Sequence, residues 1–292
     1  MSDEARLKAY QSMVERRMDD CLPSTRDVPH RLHEAMRYSA LAPGKRIRPA
    51  LCMASAEAVG APPEVALDAA CAVEFVHCFS LIHDDLPAID DDDLRRGIPT
   101  CHKAFGEAMA ILAGDALFAL AFEVVAEIDA PNDQVKRVTQ CLARATGSNG
   151  LVGGEVMDIE GEGAEPTQES LAEIHGRKTG ALITASCVMG GILAGASEAH
   201  CGSLEAFGRQ VGLAFQIADD VLNVTGEATR IGKAVGSDRE RGKQTYAAAF
   251  GVETSDAKAE DHLQRAVSHL DGLPGDVHPL AELARFAVRR DA

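Results

Sequence analysis

The chain has 292 residues, of which 46% are hydrophobic, and this is enough apolar side chain to build a large core. Its formal net charge of −16 argues against a general nucleic-acid or membrane-surface binder, because both partners are polyanions. The eight cysteines lie in apolar segments without a C-x-x-C pair, and the first residues lack the apolar stretch of a secretory signal. We therefore expect reduced thiols in a cytoplasmic protein, rather than a disulfide framework or a zinc site.

The spacing of apolar residues predicts helices throughout the chain. Aromatic residues make up only 4% of the sequence, tryptophan is absent and no apolar–polar alternation persists, so strand signals are scarce. Turns rich in glycine or proline at 41–44, 59–63, 129–133, 160–167 and 270–279 separate segments of helical length. No linker divides these segments. The pattern predicts one all-α domain over residues 1–292, against the two domains that length alone suggests.

The first segment of interest, residues 64–85, is apolar almost all round, which is typical of a helix inside a large core. Its polar members Glu74, His77, Ser80 and Asp84 are spaced by 3, 3 and 4 residues and fall on one face. Buried polar groups without partners cost about 2–7 kcal/mol, so this face must meet partners or a wet cavity. The acidic run of residues 84–93 thus starts where a core helix emerges. Residues 90–93 alone would be read as a solvated loop.

An uncharged stretch of 19 residues at 179–197 is long enough to span a bilayer. It contains four glycines and as much Ala, Ser and Thr as Leu, Ile and Val, a composition that is unfavourable for a membrane-spanning helix. We expect a buried core helix here, and no stable insertion into a membrane.

A second mostly apolar segment at 204–225 places Gln216, Asp219 or Asp220, and Asn223 on one face. Two core helices far apart in sequence therefore each carry an aspartate pair. Such clusters repel or take up protons unless they are neutralised. Mg²⁺ shared with a phosphate group is the commonest arrangement of this kind, although an ion pair with Arg or Lys would also serve Asp219 and Asp220.

Short basic clusters lie near glycine turns in this acidic chain, and they favour an anionic small-molecule ligand. There is no Walker A or G-x-G-x-x-G signature, so a standard nucleotide pocket is not expected. The clustered residues are Lys45, Arg46, Arg48, Arg95, Arg96, Lys178, Lys233 and Lys243.

Taken in order, the two aspartate motifs together with GKRIRP (44–49), RRG (95–97), HGRKTG (175–180), FQIADD (215–220) and GKQTY (242–246) resemble the trans-isoprenyl diphosphate synthase family. Within it, the bacterial farnesyl-forming type is the closest match. The resemblance runs from about residue 30 to the C-terminus. It implies an all-α bundle around a deep central cavity, usually a homodimer. It also implies Mg²⁺-dependent condensation of isopentenyl diphosphate with dimethylallyl and then geranyl diphosphate, which yields farnesyl diphosphate and pyrophosphate.

The resemblance also implies roles for individual residues. Mg²⁺, about three ions per site, would be held by Asp84, Asp90, Asp219 and Asp220, with Asp85 in support. Isopentenyl diphosphate would be bound by Lys45, Arg48, His77 and Arg96. The allylic diphosphate would be bound by Arg95, Lys178, Lys233 and Lys243, with Thr179 and Gln216 beside the allylic carbons. Of these, the catalytic set would be Lys178, Thr179, Gln216, Arg95 and Lys233.

Product length would be set one turn below the first aspartate motif, by Phe79 and Ser80. An aromatic residue at 79, with the two residues inserted between Asp85 and Asp90, resembles farnesyl-forming bacterial enzymes. Three features depart from the family pattern. Asn223 replaces an aspartate, Glu155 stands where Gln is more usual, and HGRKTG lacks a second histidine.

Four other interpretations stay open at this level. A geranyl or geranylgeranyl diphosphate synthase would share the chemistry. A weakly active diphosphate-binding subunit would explain Asn223, but both aspartate pairs are present. A terpene cyclase would not need the GKRIRP motif, and a plain acidic helical scaffold would leave the two polar stripes unexplained.

Overall fold

The structure, a computed structural model, describes residues 2–163, 167–225 and 245–289. Its α-helices run, in chain order, α1 Asp3–Cys21, α2 His30–Ala40, α3 Ile47–Val59, α4 Leu67–Asp84, α5 Cys101–Phe105, α6 Glu107–Ala126, α7 Asn132–Thr146, α8 Leu151–Glu160, α9 Gln168–His175, α10 Ala181–Leu193, α11 Glu198–Thr225, α12 Tyr246–Phe250, α13 Val252–Ser268 and α14 His278–Arg289. A 3₁₀ turn, Pro63–Ala66, precedes α4, and a π-helical turn, Gly176–Gly180, joins α9 to α10. The all-α prediction is confirmed.

The only β-structure in the described part of the chain is a two-residue hairpin that the sequence pattern did not predict. Strands β1 (Leu94–Arg95) and β2 (Ile98–Pro99) pair antiparallel, with Arg95 opposite Ile98. Both turn residues have positive φ, 53° for Arg96 and 81° for Gly97. A two-residue turn with this backbone matches the twist of paired strands, and it is unusual for an arginine.

The centre of the core is formed by α4, which packs against α3 and α6. Almost every residue from Ala69 to Val76 is fully buried. The predicted helix over 64–85 is thus the 3₁₀ turn followed by α4, and it ends at Asp84. The segment 204–225 is the second part of α11, which begins earlier, at Glu198.

The long uncharged stretch forms the last two residues of the π-helical turn and the whole of α10, and it is buried between α3, α7 and α11. Its glycines allow helix backbones to touch. A Cβ on Gly190 would lie 2.0 Å from the Cys52 carbonyl oxygen, and a Cβ on Gly212 of α11 would lie 2.6 Å from the Gly180 Cα. The prediction of a core helix is confirmed, and the small residues serve close helix packing.

Two helices are long and apolar enough to cross a membrane by length and composition, Pro63–Asp84 and Glu107–Ala126. The first is mostly buried within the bundle, as expected of a core helix. The second, α6, leaves Ile111, Leu112 and Phe118 exposed. All eight cysteines are unpaired thiols, in agreement with the sequence-based expectation.

Candidate active site

The first aspartate motif lies at the carboxyl end of α4, where the chain folds back on itself. The Asp90 N–H donates to the Asp84 carbonyl oxygen at 2.8 Å, and the Asp92 N–H donates to the Asp85 carbonyl oxygen at 3.2 Å. These bonds return Asp90 to the end of the helix, where its side chain is only 9% exposed. The residues Asp84 and Asp90, which the sequence analysis assigned to one metal site, therefore lie side by side.

Asp85 is engaged by an arginine. The Arg95 Nε donates to both Asp85 carboxylate oxygens at 2.8 Å, and Asp85 is 3% exposed. Arg95 comes from β1, so this forked ion pair fixes the hairpin to the end of α4. The geometry fits the supporting role expected of Asp85. It also places the guanidinium of Arg95 directly beside the aspartate motif.

A second basic group forms where the hairpin meets the chain before α3. The Arg96 Nη1 donates to the Pro43 carbonyl oxygen at 2.8 Å, and a Cβ on Gly44 would lie 2.4 Å from the same nitrogen. Glycine at 44 thus makes room for this arginine. Close packing of a guanidinium on a turn backbone leaves a compact cationic surface at this corner of the bundle.

The next residues of that group are Arg48 and His77. The Arg48 Nη1 lies 3.3 Å from the His77 Nε2. Burial, together with the charges of Arg48 and Arg96, holds the pKa of His77 well below its usual value. His77 is therefore neutral at pH 7, and its Nε2 can accept the hydrogen bond from Arg48.

Two basic residues of the GKRIRP motif lie apart from this group. Lys45 is exposed, and its Nζ lies 5.2 Å from the centre of the Phe286 ring. Arg46 is buried and pairs with Glu74 at 2.8 Å, so it is a core ion pair rather than a ligand. Of the four residues assigned to isopentenyl diphosphate, Arg48, His77 and Arg96 lie together in the structure. The fourth, Lys45, instead packs its side chain against Phe286 of α14.

Across the site from α4, the π-helical turn presents Lys178. Its Nζ lies 2.7 Å from Glu155 Oε2 and 2.6 Å from Asp158 Oδ2, both on α8. Burial alone would lower the pKa of Lys178, but the Asp158 and Glu155 carboxylates outweigh burial and hold it well above its usual value. A Cβ on Gly154 would lie 2.2 Å from the Lys178 backbone nitrogen, so glycine permits α8 to approach this closely.

The two walls are electrostatically coupled. Burial and then the Glu155 carboxylate raise the pKa of Asp84 to about 7, and Lys178 opposes the increase. Asp84 and Asp90 on one side therefore meet Glu155 and Lys178 on the other. Carboxylates from both walls, with the Lys178 ammonium beside them, form an oxygen-rich group of the kind that suits a divalent cation.

A hydrogen-bonded chain connects the π-helical turn to the second aspartate motif. Thr179 Oγ1 donates to Gln216 Oε1 at 2.8 Å, and Gln216 Nε2 donates to Asp220 Oδ1 at 3.1 Å. The Tyr246 N–H donates to Asp220 Oδ2 at 2.8 Å. The structure thus brings Thr179 and Gln216 together, as expected from the sequence.

Asp219 and Asp220 differ in environment. Asp220 is 2% exposed, and the His175 Nε2 lies 3.7 Å from its Oδ2. Burial lowers the pKa of His175 to about 4, so this ring is neutral at pH 7. Asp219, one residue earlier on α11, is only partly buried. Asn223 lies one turn further along the same helix and is also partly buried.

Below Asp84, an aromatic group forms around Phe79. The Phe79 ring centre lies 5.1 Å from that of Phe118 on α6 and 5.3 Å from that of His83. Phe118 in turn contacts Phe122 at 5.2 Å. Ser80 is buried, and its Oγ donates to the His77 carbonyl oxygen at 2.9 Å. Of the two residues expected to set product length, Phe79 therefore belongs to this aromatic group, whereas Ser80 is bonded to its own helix.

Three residues of the site were not predicted from the sequence, namely Glu155, Asp158 and His175. A signal was present for the first two, since two acidic residues spaced by three interrupt an apolar helix. Lys233 and Lys243 lie outside the described residues, so their predicted roles stay predictions.

Several of these residues suit a hard divalent cation, which prefers oxygen ligands. Glu155 Oε1 is buried and has no hydrogen-bond partner among the described residues, as expected of a carboxylate beside a cation site. Within the described residues, Asp91, Asp93 and His102 also bring one ligand atom each to within 4.8 Å of one another. Asp93 is there paired with Lys103 at 2.6 Å.

Comparison with known proteins agrees with this geometry. Residues 29–282 match the polyprenyl synthetase family. The chain is 44% identical over 266 residues to a farnesyl diphosphate synthase of Geobacillus stearothermophilus, covering 90% of each protein. It is also 44% identical to geranylgeranyl pyrophosphate synthase 4 of Arabidopsis thaliana, covering 95% of this chain and 75% of that protein.

A solved structure of an FPP/GFPP synthase from Zymomonas mobilis superimposes with a TM-score of 0.87 at 35% identity, covering 98% of both chains. Such similarity over nearly the full length extends to the helices that carry both aspartate motifs. This chain belongs to the polyprenyl synthetase family.

Proposed function

We propose that this chain is a Mg²⁺-dependent prenyltransferase that condenses isopentenyl diphosphate with dimethylallyl and then geranyl diphosphate to give farnesyl diphosphate and pyrophosphate. The observation that carries the proposal is the approach of the two walls. Asp84 and Asp90 at the end of α4 face Lys178 and its neighbours, with Thr179, Gln216 and Asp220 joined beside them.

The diphosphate of the allylic substrate would lie between these walls. Asp84, Asp90 and Asp219 would hold the metal ions, and the family resemblance implies three ions per site. Asp85 would orient Arg95, and Asp220 would orient Gln216. Bound Mg²⁺ supplies Lewis-acid stabilisation of the departing diphosphate. Arg95 and Lys178 add fixed positive charges. Lys233 and Lys243, which lie outside the described residues, are proposed to do the same.

Each round of the reaction transfers the allylic group to isopentenyl diphosphate and so lengthens the chain by one C5 unit. The allylic C–O bond breaks, and its electron pair leaves with the diphosphate. The double bond of isopentenyl diphosphate supplies the electrons of the new C–C bond. A proton is then lost from the added unit to the departed diphosphate, which restores a double bond. Thr179 and Gln216, whose side chains are hydrogen-bonded to each other, would supply oxygen dipoles beside the cation.

No side-chain nucleophile is needed for this sequence of steps. Burial raises the pKa of thiols such as Cys78 and Cys187 to about 12, so they stay protonated and unreactive. The neutral His77 with Arg48 and Arg96 would bind isopentenyl diphosphate. Lys45 would reach this group only by leaving Phe286, which a flexible lysine side chain can do.

Exposed apolar residues support the proposal of a homodimer. Ile111, Leu112 and Phe118 on α6 are exposed. Val152, Val156 and Ile159 on α8 are exposed as well. We propose that a second copy of the chain covers these residues, and that the dimer acts in the cytoplasm on small diphosphates rather than on nucleic acid. Light scattering of the purified protein would show twice the chain mass.

The test of the function is a product analysis. Purified protein is incubated with Mg²⁺, isopentenyl diphosphate and dimethylallyl diphosphate, and the chain length of the product is read by mass spectrometry. A C15 diphosphate is expected. A C20 product would favour the geranylgeranyl alternative, which the similarity to the Arabidopsis thaliana protein supports. The absence of any condensation, with geranyl diphosphate also inert, would contradict the proposal.

A further inference from the structure

Glu155 occupies an unusual position for a buried acid. It is 9% exposed, on α8, and its only close cation among the described residues is the Lys178 ammonium at 2.7 Å. Asp158 Oδ2 lies 2.6 Å from the same ammonium. One lysine therefore lies beside two carboxylates, and Glu155 adds a negative charge to this wall of the site.

The charge of Glu155 affects both walls. The Lys178 ammonium donates a hydrogen bond to Asp158 Oδ2 and lies 2.7 Å from Glu155 Oε2, so both acids of α8 engage it. A diphosphate that enters without metal must compete with Glu155 for this lysine. The charge of Glu155 also reaches Asp84 across the site. Glu155 thus lies between the cationic anchor for the substrate and the aspartates proposed to hold the metal.

We infer that Glu155 is a positioning residue that makes diphosphate binding depend more strictly on Mg²⁺. Without metal, its carboxylate holds Lys178 on α8 and repels the diphosphate. With metal, the added positive charge neutralises the carboxylates, so that Lys178 can turn to the substrate. The inference rests on the proposed function, because it assumes that a diphosphate binds between these walls.

The buried position explains why Glu155 should act in this way rather than as an ordinary surface acid. A charge held away from solvent is screened less by water and salt. Gly154 lets α8 lie close to the Lys178 backbone, which places the Glu155 carboxylate 2.7 Å from the Lys178 ammonium. Glutamine has the same shape without the charge and would leave Asp158 as the only acid on Lys178.

The experiment measures the binding of inorganic pyrophosphate to the full-length protein by calorimetry, once in EDTA and once in MgCl₂. The quantity of interest is the ratio of the two Kd values, that is, the enhancement of binding by magnesium. We expect Glu155→Gln to tighten metal-free binding about tenfold and to reduce the ratio by at least the same factor, as for a change of ~1.4 kcal/mol. Glu155→Asp keeps the charge and should retain most of the ratio.

Glu160→Gln is the matched control, since Glu160 is exposed on the same helix. It should leave both Kd values unchanged. A purely structural role of Glu155 would weaken both measurements together and leave the ratio as in the wild type, and that result would overturn the inference. If the Glu155→Gln variant does not fold, Glu155→Ala serves as the neutral variant. We expect it to reduce the ratio of the two Kd values by the same factor.

The outcome also separates this inference from the proposed function. Wild-type protein that binds pyrophosphate with Mg²⁺ and makes a prenyl product, but whose Glu155→Gln variant has an unchanged ratio, would overturn the inference alone. Wild-type protein that binds no pyrophosphate in either buffer would overturn both.

Discussion

The aromatic group around Phe79 gives the most specific prediction about product length. Phe79 lies five residues before Asp84 on α4, which is about 7.5 Å along a helix that rises 1.5 Å per residue. Its ring contacts Phe118 at 5.1 Å and His83 at 5.3 Å. We propose that a growing chain starts at Asp84 and runs along α4 past the aromatic group, where it meets this ring. We expect Phe79→Ala to lengthen the product by at least one C5 unit.

The cost in stability can be worked out from the same contacts. A fully buried Phe→Ala change costs 3–5 kcal/mol, but Phe79 is only partly buried. The loss of two aromatic contacts at about 0.5–1.5 kcal/mol each leads us to expect about 2 kcal/mol, or a fall in Tm of about 4–8 °C. The variant should therefore stay folded at assay temperature.

The assay is mass spectrometry of the products, with circular dichroism to follow folding. Phe122→Ala is the matched control, because Phe122 contacts Phe118 at 5.2 Å on the far side of the group from Phe79. The control should leave the product length unchanged. A folded Phe79→Ala variant that makes the wild-type product would refute the argument and show that another residue closes the path.

Three further predictions concern the charged groups. Asp84→Ala should lower kcat at least about 10³-fold without loss of helix content, because it removes a carboxylate of the proposed metal site; an undiminished rate would exclude Asp84 from that site. Asp220→Asn should lower the free energy of unfolding by about 1.5–3 kcal/mol in urea titrations, since Asp220 accepts charge-assisted bonds from Gln216 and Tyr246. The pKa of His77 in the folded chain lies well below its usual value of about 6.5, so the unfolded chain binds the proton first, and His77 lowers stability as the pH falls below about 6.5. His77→Gln should therefore flatten the loss of stability towards acid pH, and an unchanged slope would contradict a neutral His77 in the folded chain.

Some features followed from the sequence because they depend on neighbours along one helix. The polar stripe of α4 required only helical spacing, and Glu74, His77 and Asp84 do meet partners on that face. Gln216 and Asp220 are four residues apart and form the hydrogen bond that this spacing permits. The all-α class likewise followed from the period of the apolar residues.

Other features depended on how the chain folds back over long distances. Nothing in the local pattern indicated that Asp85 would form an ion pair with Arg95 while Asp84 stays at the site wall. Both are aspartates at one helix end, and the hairpin decided between them. In the same way, Lys45 and Arg48 are close in sequence, yet the structure places Lys45 over Phe286 and Arg48 beside His77.

By itself, then, the sequence determined the helices, their buried faces and the two aspartate motifs, since these are encoded by residue type and by spacings of three and four. Tertiary structure alone decided which charges meet. Lys178 is paired with Glu155 and Asp158, about twenty residues earlier, because Gly154 lets α8 lie on the π-helical turn. Electrostatic partners are chosen by distance in space, and that distance is set by the close packing of helix backbones at glycine.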